Sequence, residues 1–285
     1  MTPLPESLRW AVEAWSIAVG AVVGSFLNVV IARVPAGESI VRPGSRCPSC
    51  RTPIAWYDNV PVLSWVLLRG RCRSCQTGIA WRYPLVEILG AGAAWVAVSR
   101  HGLSFEALAE FTLAATLLAL AFIDLDTWTL PHVLTLPLLG TGLLLSALHL
   151  THAGSLASSA AGAAAGWVVF AAVAFLGERL LKKEALGFGD VWLLSAIGAW
   201  LGLAPLLPVI LLASLQGTVV GIALIVLGKA QPGGTGECPA PGTEEEWVRP
   251  RNAVPFGPFL AAGALEWLWL QGWITRIVPS LGLFT

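Results

Sequence analysis

The chain has 285 residues, of which 56% are hydrophobic and only 12% charged, and its mean hydropathy is +0.73. A soluble domain carries about 25% charged residues, so an ordinary cytosolic enzyme, a disordered chain and a secreted disulfide scaffold are all excluded in favour of a polytopic helical membrane protein. Lys plus Arg and Asp plus Glu both total 17, so net charge gives no sign of a nucleic-acid partner.

A membrane-spanning helix needs roughly 20 mostly apolar residues. Eight stretches come near that length: about 10–33, 84–100, 106–123, 133–150, 158–178, 187–204, 205–228 and 254–275. The expected fold is therefore all-α, with about eight transmembrane helices. The first of them, within residues 1–33, is too long for a cleaved signal peptide and lacks a cleavage-site pattern. Pro205 and Pro208 divide the sixth stretch from the seventh. No fixed-period repeat is evident.

Two polar insertions interrupt the spans. Residues 34–83 form a small loop domain with four cysteines, and 84–285 form a seven-helix core interrupted at 229–253 by a Gly-, Pro- and acid-rich segment that reads as a flexible connector. With the 34–83 loop in the cytoplasm, that side receives Arg33, Arg42, Arg46, Arg51, Arg69, Arg71, Arg73, Arg82, Arg179, Lys182, Lys183, Lys229, Arg249 and Arg251. The opposite side receives Arg9, Arg100 and Arg276. Fourteen against three satisfies the positive-inside rule and leaves both termini outside the cytoplasm. Trp10, Trp15, Trp267, Trp269 and Trp273 fit an aromatic belt, or pack in the core or against lipid.

In the loop, Cys47-Pro48-Ser49-Cys50 and Cys72-Arg73-Ser74-Cys75 are two C-x-x-C pairs separated by 21 residues. Two such pairs can bring four thiolates to the corners of one tetrahedron, the set taken by structural Zn²⁺. A reducing compartment disfavours disulfides, and the surrounding arginines favour thiolates. The alternative is two redox-active or merely reduced pairs. Cys238 stands alone in the connector and reads as a free thiol.

Carboxylates within spans are costly and mark functional sites by default. Asp124 and Asp126 lie at the cytoplasmic end of the third span, and Asp190 follows Gly187-Phe188-Gly189 at the cytoplasmic start of the sixth. Asp124 and Asp190 thus reach one membrane face and suggest a dyad. One carboxylate holds a proton and the other acts as a base, a pairing suited to peptide hydrolysis. The alternative is that either residue caps a helix or pairs with Lys182 or Lys183. Asp126, two residues from Asp124, points to another face or lies in the loop. Glu87 either orients the loop and a neighbouring helix or pairs with an arginine such as Arg82. His132 fits a helix start, and Asn28 fits interhelical hydrogen bonding.

Together these residues resemble the prepilin peptidases, bifunctional leader peptidases and N-methyltransferases of bacterial inner membranes. The resemblance runs in order through Gly24-Ser25-Phe26-Leu27-Asn28 with Arg33 and Pro35, and the cysteine pairs flanking Asp58-Asn59-Val60-Pro61-Val62-Leu63-Ser64-Trp65. It continues through Tyr83-Pro84-Leu85-Val86-Glu87, Asp124-Leu125-Asp126 with Leu130-Pro131, Gly187-Phe188-Gly189-Asp190 and Pro255-Phe256-Gly257-Pro258-Phe259. It implies an intramembrane aspartic protease with Asp124 and Asp190 as catalytic pair. Its substrates would be type IV prepilins and type II secretion pseudopilins, cut after a glycine on the cytoplasmic side. The new N-terminus would then be methylated from S-adenosylmethionine, for which no Rossmann-type glycine loop is present. The chain departs from the family pattern at His132, where Asp or Asn is usual, and at Trp192, where Lys is usual. The connector is also long. A proton-coupled transporter and a non-catalytic zinc-loop scaffold are the competing classes; a transporter would place its acids near the midplane among repeats.

Overall fold

The computed structural model describes residues 6–181, 187–227 and 254–284. Lys182, Lys183, Cys238, Arg249, Arg251 and the connector 229–253 fall outside them. Outside the loop 34–81 the described residues are mostly helical. The long helices are α1 (Glu6–Arg33), α3 (Arg82–His101), α4 (Phe105–Thr127), α5 (His132–Ala147), α6 (Leu156–Leu181), α7 (Phe188–Leu201), α8 (Leu206–Val226) and α9 (Gly257–Ile277). The short helix α2 (Leu63–Leu67) lies in the loop domain. Each of the eight apolar stretches is thus one helix.

Four of these helices, α1, α4, α6 and α8, are long and apolar enough to cross a membrane. The chain is a multi-pass membrane protein. The others depart from eight equal spans. α5 and α7 have only 16 and 14 residues, and at about 1.5 Å per residue α7 is roughly 21 Å long against a hydrocarbon core of about 30 Å. α7 compensates by burial: from Asp190 to Leu201 every residue except Trp192 is enclosed by protein. Large apolar side chains stay uncovered on α6 (Val168, Val173, Leu176) and α8 (Leu215, Val219, Ile222), as lipid-facing helices require.

Local chemistry sets the helix ends. Gly102 closes α3 at φ +67°, and the Ser104 hydroxyl then caps α4 by accepting from the Ala107 amide at 3.2 Å. Trp128 ends α4 in the left-handed conformation, its amide donating to the Asp124 carbonyl at 2.9 Å. Pro205 precedes α8 as its N-cap.

The chain divides into two compact units, Met1–Leu134 with Ala147–Thr151, and Thr135–Ser146 with His152–Thr285. In the first, α1 packs on α3, and both pack on α4 around Leu27, Val30, Ile31, Val86, Ala115, Ala119 and Ile123. A Cβ on Gly20 would lie 2.5 Å from the Gly90 carbonyl oxygen, and one on Gly24 would lie 2.7 Å from Glu87 Cα, so this crossing needs glycine. Asn28 Nδ2 donates across it to the Tyr83 carbonyl at 3.1 Å. In the second unit α6 packs on α7 by the same device. A Cβ on Gly198 would lie 2.2 Å from the Gly162 carbonyl oxygen. Ser195 Oγ donates to the Ala163 carbonyl at 2.9 Å, and Ser159 Oγ to the Ala199 carbonyl at 2.6 Å. Trp200 Nε1 donates to the Leu138 carbonyl at 2.8 Å, which ties α5 to α7. Trp267 is 1% exposed and belongs to this unit's core, unlike Trp10, Trp15 and Trp273, which remain exposed.

Candidate functional site

The loop between α1 and α3 is built on two knuckles of one design. Both read C-x-S-C-x-T, 25 positions apart, a local duplication that leaves no long-period trace. In the first, the Cys47 amide donates to the Thr52 carbonyl at 3.0 Å, and the Arg51 amide to the Cys47 carbonyl at 2.9 Å. In the second, the Cys72 amide donates to the Thr77 carbonyl at 2.9 Å, and the Gln76 amide to the Cys72 carbonyl at 3.0 Å. Arg51 and Gln76 take positive φ, 58° and 59°, which turns each chain tightly round its two cysteines. An antiparallel bridge closes each knuckle, Arg46 with Pro53 and Arg71 with Gly78.

The two turns bring all four sulfurs within 4.8 Å of one another, and Cys47 Sγ and Cys75 Sγ are 3.7 Å apart. Four sulfurs about 2.3 Å from one zinc ion stand about 3.8 Å from each other, so these residues fit the metal. A metal held by all four thiolates would have no open coordination position, as in structural zinc sites. The knuckles act unequally on the thiols. The Thr77 hydroxyl and then its backbone N–H bring the Cys75 thiol down to about 6, and Thr52 lowers Cys50 in the same way. The backbone N–H groups of Cys50 and Ser49 pull the Cys47 thiol down, but its burial and the thiols of Cys50 and Cys72 outweigh them and raise it to about 11.

Between the knuckles, Asp58 accepts both from Arg73 Nε at 2.7 Å and from an Arg73 terminal nitrogen at 2.6 Å. That pairing holds the Asp58 carboxyl below its usual range. Trp65 Nε1 donates to the Ile79 carbonyl at 3.0 Å, and its ring packs on Gly70, where a Cβ would lie 2.9 Å from the indole. Glu87 settles the choice left open above. Its Oε2 accepts from the Val62 amide at 2.7 Å, so it orients the loop, while Arg82 pairs instead with Asp126. The arginine at the start of α3 thus ties down the carboxyl-terminal turn of α4.

The two remaining candidates are carried by different units. Asp124 stands in the last turn of α4 in the first unit and is 5% exposed. It follows Ile123, which is fully enclosed in the α1–α3–α4 core. Asp190 stands in the first turn of α7 in the second unit and is 8% exposed. Its amide donates to the Gly187 carbonyl at 3.0 Å, and a Cβ at Gly187 would lie 3.4 Å from its Oδ2. Beside it, the Phe188 and Trp192 rings meet edge to face at 6.4 Å, so the aromatic residue at 192 packs on the glycine motif's own phenylalanine. His132 is the first residue of α5.

Sequence reasoning missed the glycine crossings Gly20-x₃-Gly24 and Gly162-x₃-Gly166, although small residues four apart in apolar helices are a readable signal. It also missed Val62, for which no sequence signal exists.

Residues 18–101 match the bacterial peptidase A24 N-terminal domain, and residues 111–222 match the type IV leader peptidase family. A prepilin leader peptidase/N-methyltransferase from Myxococcus xanthus (strain DK1622) is 39% identical, covering 92% of this chain and 91% of its own length. The protein of the same name from Aeromonas hydrophila is 37% identical over 93% of each chain, and that from Pseudomonas aeruginosa 35% over 89% of each. No solved structure matches significantly. At this identity over nine-tenths of both chains, the protein belongs to the type IV leader peptidase family.

Proposed function

We propose that this protein is a prepilin leader peptidase and N-methyltransferase of the bacterial inner membrane, with Asp124 and Asp190 as its peptidase dyad. The observation that carries this is the full-length similarity to relatives of that name in a chain whose aspartates at the two motif positions are both enclosed in protein. A transporter or a scaffold leaves that similarity unexplained.

In a two-aspartate mechanism one carboxylate holds a proton while the other acts as a base. Asp190 sits at the positive end of the α7 dipole and Asp124 at the negative end of that of α4, so we assign the proton to Asp124 and the base role to Asp190. Asp190 takes a proton from water as the water oxygen bonds to the scissile carbonyl carbon. Asp124 hydrogen-bonds the carbonyl oxygen, and a proton passes to the leaving amine as the C–N bond breaks. The positive-inside pattern puts both residues and the cysteine loop on the cytoplasmic side, with eight spans and both termini periplasmic. There they meet the basic leader of a prepilin or type II secretion pseudopilin whose apolar helix lies in the bilayer. Cys47, Cys50, Cys72 and Cys75 hold a zinc ion that keeps the loop folded. S-adenosylmethionine supplies an electrophilic methyl group for the amine that cleavage exposes.

The test is cleavage of a prepilin in membranes by wild type, Asp124→Asn and Asp190→Asn, read by mass spectrometry. Cleavage after the leader glycine by wild type and by neither variant is expected. Cleavage by both variants refutes the dyad.

A further inference from the structure

Six arginines and two acids stand between Val34 and Trp81. Of the acids, Asp58 is already taken by Arg73. Arg42, Arg46, Arg51, Arg69 and Arg71 have no carboxylate partner among the described residues. A zinc tetrathiolate would add two negative charges, and the segment would still be positive. The same segment gathers uncovered apolar side chains. Leu63, Val66 and Leu67 are all more than half exposed, and their i, i+3, i+4 spacing puts them on one face of α2. Ser64, between them in sequence, turns inward, its Oγ donating to the Tyr57 carbonyl at 3.1 Å. Trp56 and Trp81 are likewise mostly exposed. Apolar residues scattered singly over a surface are ordinary, but a contiguous face of them marks an interaction site.

Depth and charge together identify what covers this face. The Val62 amide, one residue before α2, donates to Glu87 Oε2 at 2.7 Å. Glu87 is the sixth residue of α3, about 7–8 Å into that helix at about 1.5 Å per residue. The polar zone on each side of a bilayer is itself only about 5–7 Å thick, so α2 begins at headgroup depth and not out in the water. Val62 holds φ 60° to make this start, a costly conformation for a β-branched residue, and the Glu87 bond keeps it there. Tryptophan rings favour that interface. Arg69 and Arg71 follow α2 directly and are exposed, and arginines near a membrane surface are attracted to anionic headgroups. An apolar helix face flanked by arginines is the pattern of an interfacial segment.

We propose that the loop domain docks on the anionic surface of the bilayer, with Leu63, Val66 and Leu67 inserted among the acyl chains and Arg69 and Arg71 on lipid phosphates. The proposed topology enters only in naming the leaflet as the cytoplasmic one. Docking fixes the four-cysteine loop against the leaflet from which a substrate's leader emerges. It also gives Glu87 a purpose, since its bond to Val62 sets the depth at which α2 starts.

The test is photocrosslinking of the full-length, zinc-loaded protein with p-benzoylphenylalanine in place of Leu67. It is reconstituted in vesicles of phosphatidylcholine mixed with phosphatidylglycerol, with and without prepilin, and the adducts are identified by mass spectrometry. Lipid adducts are expected to dominate. Their yield should fall at least about threefold in phosphatidylcholine alone and in Arg69→Gln combined with Arg71→Gln, with zinc content unchanged. Adducts on prepilin, on a second copy or on the chain's own residues overturn the docking, and so does a lack of adducts. Lipid adducts that ignore both changes overturn the part given to the arginines. Should a variant lose zinc, hydrogen exchange of wild type decides. Slower exchange of the amides of residues 63–69 when phosphatidylglycerol is present supports docking, and equal exchange refutes it. Both leaflets carry the same lipid, so docking is read whichever way the loop faces. The topology is tested apart from it, by protease added outside spheroplasts, where cleavage of the loop would refute a cytoplasmic location.

Discussion

Gly198→Ala tests how the protein positions Asp190. The added Cβ would lie 2.2 Å from the Gly162 carbonyl oxygen and 2.5 Å from its carbon, against an ordinary contact of 3.4 Å or more. Both obstacles are backbone, so α6 and α7 must part by about 1 Å to reach ordinary contact. That separation stretches the Ser195–Ala163 bond from 2.9 Å and the Ser159–Ala199 bond from 2.6 Å toward or past the limit of a hydrogen bond. Each interhelical bond in a membrane is worth about 0.6 kcal/mol, and overpacking adds about 1–3 kcal/mol, so the variant should lose roughly 2–4 kcal/mol. A shift of 1 Å at a reacting group costs on the order of a hundredfold in rate, and Asp190, the proposed base, rides on the helix that moves. Reversible unfolding in mixed micelles and single-turnover prepilin cleavage measure the two effects. Ser159→Ala combined with Ser195→Ala should lose only about 1 kcal/mol and retain most activity. If Gly198→Ala unfolds and cleaves like wild type, close backbone approach is not what places Asp190.

Three further outcomes follow from the loop domain and its anchor. Cys75→Ser should abolish stoichiometric zinc by atomic absorption and open residues 34–83 to proteolysis, because a structural zinc site is folded only when loaded; full zinc retention would contradict the tetrathiolate site. Asp58 is held below its ordinary value of 3.8 by Arg73, so its contribution is complete above about pH 4 and is lost as pH falls through its lowered folded value. Acid unfolding of the loop should be flatter in Arg73→Gln, and an identical pH profile would remove that pair from the account. Arg82 and Asp126 are about a third exposed, so a double-mutant cycle of Arg82→Gln and Asp126→Asn should show a coupling no larger than about 1 kcal/mol. A coupling above about 2 kcal/mol would mean that the pair is desolvated.

Most of the eight helices were legible because their apolar stretches end at a glycine, proline or charged residue whose local effect is strong. Gly102 and Pro205 are examples. The lengths of α5 and α7 were less legible, since hydropathy says that a segment is buried but not whether lipid or protein buries it. α7 is enclosed by protein, and its 14 residues need not match the bilayer. Trp267 illustrates the same ambiguity: an indole near a span end suits the interface or the core equally, and here it is core. The cysteine cluster was legible because two C-x-x-C turns have few other uses. The partner of Glu87 was not, since two acceptable partners were in reach and only the path of the loop selects the Val62 amide over Arg82. The Arg82–Asp126 pair spans 44 positions and depends on helix packing that no local pattern encodes.

The glycine crossings also explain how a protease site can be held where the hydrophobic effect gives little direction. In water, burying apolar area orients a helix. In lipid, an apolar side chain gains little by leaving the bilayer for protein, so packing contact and hydrogen bonds must set position. Each unit uses the same means. In the first, Gly20 and Gly24 admit α3 against α1, Asn28 bonds the Tyr83 carbonyl across the contact, and α4 with Asp124 packs on the pair. In the second, Gly162 and Gly198 admit α7 against α6, two serines bond across, and Asp190 stands at the start of α7. A larger side chain at any of these glycines meets backbone that cannot turn aside, so the tolerance for error is a few tenths of an ångström. Leu215 and Val219 on α8, by contrast, are more than half exposed and should accept any apolar residue. Activity should therefore follow the small residues at the crossings far more closely than the hydrophobicity of the lipid-facing helices.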